Sequence, residues 1–194
     1  MDNIVKTLNK EELQKVKIIK ASKGEILFNE GDICESVGIV LDGEVHILSY
    51  LENGQEIIYN IVGQSKIFGN NLIFSTDPIY RGDVVSSVDS DIMLIDKKNL
   101  VYLMQNNQDF LLAFLNQQSD FGKELNLKMR ILTFKNAKDR VLYFLQVNHG
   151  IIAYKSITKL AQILYLTREV LSRTLHDLEH AKVIKLEDKK IVKL

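Results

Sequence analysis

The chain has 194 residues, 46% of them hydrophobic, with 25 Lys/Arg balancing 25 Asp/Glu. That length admits one large domain or two small ones, and the apolar content excludes a disordered chain. No apolar run approaches the ~20 residues of a membrane span and MDNIVKTLNKEEL has no secretory h-region, so a cytoplasmic protein without membrane contact is expected.

The zero net charge hides a division. Residues 1–134 carry 13 Lys/Arg against 19 Asp/Glu, and residues 135–194 carry 12 against 6. Such a split favours nucleic-acid contact by the C-terminal part alone. The single Cys34 cannot form an intrachain disulfide and cannot supply the thiolates of an iron–sulfur cluster.

In chain order, residues 9–15 read as a short helix, with Asn9 and Glu12 as a capping pair. From Val16 to Ile95 short alternating runs follow: 25–28, 37–41, 44–50, 55–62, 66–68, 82–88 and 91–95. Turn signals at 29–32, 42–43, 53–54 and 89–91 separate them, as in an antiparallel roll of jelly-roll type. Asn53-Gly54 is the strongest hairpin signal, suited to a type I′ turn with positive φ at both positions.

After Asp96 the pattern turns helical. Lys97–Asn106 reads as a short helix and 108–132 as a long one without proline. Leu111, Leu115, Gln118, Gly122, Leu125, Met129 and Leu132 take heptad a and d positions, a dimerisation seam. Roughly 25 residues at ~1.5 Å each make a rod near 37 Å. Phe110, Phe114 and Phe121 form a second stripe facing the chain's own domain. Residues 133–136 form a hinge, and 138–147 a further helix stopped by Asn148-His149-Gly150.

Next, SITKLAQILYLTREVLSRT (156–174) reads as two helices around a tight connection at Tyr165-Leu166. The first is capped by Ser156 and buries Leu160, Ala161, Ile163 and Leu164. The second is capped by Thr167 and buries Val170, Leu171 and Leu175. Arg168, Glu169, Ser172 and Arg173 share its polar face, and the first two lie in the turn that meets base edges. Arg168 and Arg173 can grip guanine or phosphate, Glu169 can accept from cytosine N4, and Ser172 permits close approach. Lys155, Thr158, Lys159, Lys189 and Lys190 are expected on phosphates, the last two on a hairpin wing, 183–194.

The pieces KGEILFNEGD (23–32), VGIVLDGEVHIL (37–48), IFGNNLIF (67–74), the long helix and TREVLSRTLHDLE (167–179) resemble, in order, the signature regions of the Crp/Fnr superfamily of bacterial transcription regulators. The resemblance implies an α+β chain: a cyclic-nucleotide-binding-like antiparallel β-roll (a double-stranded β-helix, 1–106), a dimerisation helix and hinge (107–134), and a winged helix-turn-helix (135–194). It implies a homodimer on palindromic double-stranded DNA, contact with RNA polymerase if the protein activates, and no enzymatic role or cofactor. Arg168, Glu169 and Arg173 look like the family's recognition residues. Ser172 beside Arg173 looks more like the Fnr-type pattern, associated with TTGAT-like half-sites, than the Gly-Arg of the cyclic-AMP receptor. The family's turn usually has glycine where this chain has Tyr165; if that position is left-handed, a tyrosine costs about 1 kcal/mol.

Cyclic-AMP sensors of the family grip ribose with Gly-Glu and phosphate with Arg-Ser-Ala. Here the matching residues are Gly69, Asn70 and Asn71, then Arg81, Gly82 and Asp83. Arg81 can hold an anion, but Asn70 replaces the carboxylate, Gly82 replaces the serine, and Asp83 is placed to repel phosphate or to pair with Arg81. The expectation is therefore an effector other than cyclic AMP, or a scaffold without one. His46, the lone histidine of residues 1–148, gives haem or a cupin-type metal site almost no material. His176 and His180 are spaced for zinc but lack a third ligand beyond Asp177 and Glu179. Beside Asp32 and Glu35, nothing would activate Cys34 for a redox role. A small-molecule module acting through protein contacts is the alternative class.

Overall fold

The computed structural model describes residues 4–54 and 56–194, so residues 1–3 and Gln55, which opens one predicted strand, lie outside the described residues. Two compact units result, Met1–Asp120 and Phe121–Leu194.

In the first unit a single 3-10 turn (Ile4–Thr7) precedes α1 (Lys10–Leu13). The Asn9 side chain accepts from the Glu11 and Glu12 N–H groups, and the Glu12 carboxylate accepts from Asn9 N–H at 2.9 Å, the capping pair foreseen from sequence. Glu12 also accepts from Asn107 Nδ2 at 2.9 Å. Asn107 Oδ1 in turn accepts from Phe110 N–H, so the same contact ties α1 to the start of the long helix.

Strands β1 (Lys17–Ala21), β2 (Ile26–Phe28), β3 (Ser36–Asp42), β4 (Glu44–Tyr50), β5 (Glu56–Gly63), β6 (Ile67–Phe68), β7 (Asp83–Ser86) and β8 (Ser90–Asp96) build two four-stranded antiparallel sheets. Their orders are β1-β8-β3-β6 and β2-β7-β4-β5, the rolled arrangement expected. Strand β1 escaped the alternation argument because Ile18 and Ile19 are adjacent and only Ala21 is buried.

The type I′ turn is not formed. Of Asn53 and Gly54 only Gly54 takes positive φ, at 78°. Its N–H bonds to the Leu51 carbonyl at 2.8 Å, and the last strand pair is Tyr50 with Glu56, so the pairing does not close on a two-residue Asn53-Gly54 turn. Between the sheets Val37, Ile39, Phe68, Tyr80, Ile92 and Ile95 are buried, with Phe28 stacked on Tyr80 at 5.1 Å.

Helix α2 (Lys97–Asn106) is capped by Asp96. Helix α3 (Gln108–Thr133) follows, with Phe110, Ala113 and Phe114 in the first unit's core. Gln117 of α3 accepts from Ile67 N–H at 3.2 Å and donates to the Ser65 carbonyl at 2.9 Å, which fixes the helix against the β5–β6 turn.

The second unit contains the end of α3, then α4 (Ala137–Val147), β9 (Ile151–Ala153), α5 (Ile157–Ile163), α6 (Arg168–His180), β10 (Ile184–Glu187) and β11 (Lys190–Lys193). Its core gathers Ile131, Val141, Leu145, Leu160, Leu164, Leu171, Leu175, Leu178, Ile184 and Ile191. The wing has three strands, ordered β10-β11-β9, not two. Strand β9 is three residues long with only Ile152 buried, too short for a period to register.

Helices α4, α5 and α6 end alike, each with a non-glycine residue in the left-handed region: His149, Tyr165 and Lys182 at φ 54°, 53° and 55°. After α6, Lys182 N–H bonds to Glu179 O at 2.9 Å and Val183 N–H to Leu178 O at 3.0 Å, the paired bonds of a Schellman cap. The exposed Lys182 gains no packing to offset its strain. Lys182→Gly should therefore raise unfolding stability by about 1 kcal/mol, read from the denaturant midpoint at unchanged m-value, and a lower midpoint would contradict this.

Candidate nucleic-acid interface

Helix α6 is positioned by its buried face. Leu171, Leu175 and Leu178 are at most 3% exposed, while Val170 is half-buried. Each leucine contributes roughly 1.5–3 kcal/mol by leaving water. The opposite face presents Thr167, Arg168, Glu169, Ser172 and Arg173, all exposed. Thr167 caps the helix by accepting from Val170 N–H at 3.2 Å, so Arg168 and Glu169 occupy its first turn as expected.

The Glu169 carboxyl is held below its ordinary range by its own backbone N–H, then by the Thr167 hydroxyl. The Arg168 charge adds to that lowering, but among the described residues no carboxylate lies within 4.0 Å of either guanidinium of the face. They are available to an external anion.

The turn before α6 follows the same logic. Ser156 caps α5 by accepting from Lys159 N–H at 3.1 Å. Leu160, Ala161 and Leu164 are buried, whereas Ile163, expected inside, is 50% exposed because its helix offers only one narrow face to the core. Tyr165 does adopt the left-handed conformation, and the carbonyls of Leu164 and Tyr165 accept from Arg140 Nη1 at 3.2 and 2.8 Å. Arg140 was not singled out from the sequence, since no spacing links it to this turn. Lys155, Thr158 and Lys159 are exposed around α5, and Lys189 and Lys190 at the wing, where Lys189 takes φ 50° in the β10–β11 turn.

On α3, Leu115, Leu125, Met129 and Leu132 are 46–60% exposed, whereas Leu111, Gln118 and Gly122 are half-buried. Leu112, absent from the heptad reading, is 51% exposed. Gln118 departs from its expected place in the seam. Its Oε1 accepts from Asn70 Nδ2 at 2.6 Å, because Gln118 faces the buried Asn70 of its own unit. A Cβ at Gly122 would meet nothing within 4 Å, so no neighbour within the chain requires glycine there.

The stretch matched to the effector pocket is occupied by internal contacts. Gly69 takes φ 76° and Asn71 is exposed. Arg81 pairs with Asp77, not with Asp83 as weighed from sequence. Asp83 instead accepts from Glu30 N–H at 2.7 Å. A Cβ at Gly82 would lie 2.7 Å from the Leu48 carbonyl oxygen and 3.2 Å from the Tyr59 ring, so no serine fits without a shift.

Cys34 is buried, its Sγ 3.5 Å from the Tyr80 hydroxyl, and burial pushes both groups above their ordinary values. His46 lies 2.9 Å from Glu44 in the sheet. His176 and His180 are exposed, and Glu179 is engaged by Leu186 N–H at 2.8 Å. No cluster of three metal-ligating side chains occurs among the described residues. Among those residues, too, no helix is long and apolar enough to cross a membrane.

Comparison with known proteins agrees with this layout. The cyclic nucleotide-binding domain family model matches residues 18–107. The anaerobic regulatory protein of Bacillus subtilis (strain 168) is 23% identical over 180 residues, covering 87% of this chain and 76% of that protein. A transcriptional regulator from Thermotoga maritima is 30% identical, with TM-score 0.57, over 64% of this chain and 96% of that one. A mutant of CooA from Carboxydothermus hydrogenoformans shares the fold at TM-score 0.70 and 20% identity, over 97% and 89% of the two chains. With a family-matched roll, a long helix and a helix-turn-helix followed by a wing in that order, the chain belongs to the Crp/Fnr superfamily of transcription regulators.

Proposed function

We propose that this regulator binds double-stranded DNA as a homodimer, each copy setting α6 into the major groove of one half of a palindrome. The reading assigns 1–106 to a sensory or scaffolding roll, 107–134 to the dimerisation helix and hinge, and 135–194 to DNA. The observation that carries it is the contrast on α6: three buried leucines on one side, and on the other an exposed row of Arg168, Glu169, Ser172 and Arg173 at the capped end. Helix N-termini entering the groove read base edges, while Lys155, Thr158, Lys159, Lys189 and Lys190 contact phosphate and make binding steeply salt-dependent.

Ser172 next to Arg173 favours a TTGAT-like half-site. The basic balance of residues 135–194 supports DNA contact by that part without bearing on the sequence read.

A second copy covers the exposed stripe of α3. Leu115, Leu125, Met129 and Leu132 supply the apolar contact, and Gly122 permits close backbone approach at a cost of about 1 kcal/mol in helix propensity. As for an effector, cyclic AMP is disfavoured by three features: the Asn70–Gln118 bond, the Arg81–Asp77 pair and the crowding at Gly82. The effector, where one acts, is a different small molecule.

Two variants test the reading. Leu125→Asp should sediment as a monomer and lose affinity for a palindrome, and an unchanged dimer would remove α3 from the interface. Arg173→Ala should lose about 1–3 kcal/mol of discrimination per half-site between a cognate duplex and one altered at the contacted base. Equal discrimination by variant and wild type in a competition titration would refute its role.

A further inference from the structure

Arg140 is half-buried on α4 and touches no surface assigned above to DNA or to a second copy. Its guanidinium nevertheless joins two places that must hold a fixed relation if both surfaces are to work together. Nε donates to the carbonyl of Phe134, the first residue after α3, at 3.1 Å. Nη1 donates to the carbonyls of Leu164 and Tyr165, which close α5 and set the entry of α6.

Those carbonyls lie where a helix end leaves acceptors unpaired, so the cation there is also favoured by the helix dipole. The α3 side of the bridge is itself braced. Arg130, in the last turn of α3, lies 5.8 Å from the Phe134 ring and 5.9 Å from that of Tyr143, and the two rings are 5.2 Å apart.

We infer that Arg140 is a positioning residue: by bonding the end of α3 and the α5–α6 turn at once, it sets the heading of α6 relative to the exposed stripe of α3, and so the half-site separation that a dimer accepts. Only a planar fork holds acceptors on both sides in one geometry. A lysine at 140 keeps the charge but offers a point donor that satisfies one side. The left-handed Tyr165 makes this turn the part most in need of such a hold, because its backbone is strained and carries no glycine.

The inference rests on the DNA reading above, and its test separates the two. Full-length wild type, Arg140→Lys and Arg140→Gln are titrated against a duplex with one half-site. They are also titrated against palindromes with half-sites at the preferred separation and one base pair nearer or farther. Thermal unfolding of each variant is followed alongside, and if Arg140→Gln does not fold, the Arg140→Lys profile decides alone.

The expected result is single half-site affinity within about threefold of wild type, a fall of about tenfold or more at the preferred separation, and a flattened preference among separations. A merely local structural loss would weaken the single half-site and leave the preference intact. An unchanged separation profile in Arg140→Lys would overturn the inference. So would a palindrome loss fully accounted for by the half-site loss in each arm. Wild type that prefers no palindrome over random duplex would overturn the DNA reading itself, and this inference with it.

Discussion

One constraint organises the molecule: α3 has its two ends sunk in two different cores. Phe110, Ala113 and Phe114 belong to the apolar interior of the first unit, and Ile131 to that of the second. A helix repeats every 3.6 residues, so burying those positions decides which others stay outside. Leu112 and Leu115 remain exposed near one end, and Leu125, Met129 and Leu132 near the other. The stripe is thus a consequence of two packings and not a separate feature of the sequence.

The second unit leaves one face of α6 exposed and polar. Buried leucines hold α6 by one face, Thr167 fixes where it begins, and Glu179 accepts from Leu186 N–H to hold the wing beside it. None of these contacts uses Arg168, Ser172 or Arg173, which is why the polar face stays available. The first unit shows the opposite economy. Asn70, Arg81 and Asp83 each bond within the chain, and Gly82 lies where a Cβ would meet the Leu48 carbonyl and the Tyr59 ring.

Much of this was legible in the sequence because it depends on period and on local caps. The roll's central strands, the long helix, the Asn9–Glu12 pair and the caps Ser156 and Thr167 follow from alternation, heptad spacing and short polar side chains at helix starts. What escaped was either short or non-local. Strands β1 and β9 bury too few residues to show a pattern. The Asn53-Gly54 turn shifted because strand pairing, not dipeptide preference, set the loop length. The bonds from Asn70 to Gln118 and from Arg140 to Tyr165 join residues 48 and 25 positions apart, beyond the reach of any spacing rule. The polar face of α6 could be listed from the sequence, but its freedom from internal ion pairs required coordinates.

The central claim is that two copies of α6 are presented at a fixed separation. Selection of bound duplexes from random DNA, at a salt concentration that suppresses non-specific binding, tests it most directly. The account predicts enrichment of one short motif in inverted repeat, with half-site centres at a constant separation of about one helical turn, ~34 Å, or a multiple of it. Enrichment of a single unrepeated motif, or of inverted repeats with no preferred separation, would contradict it.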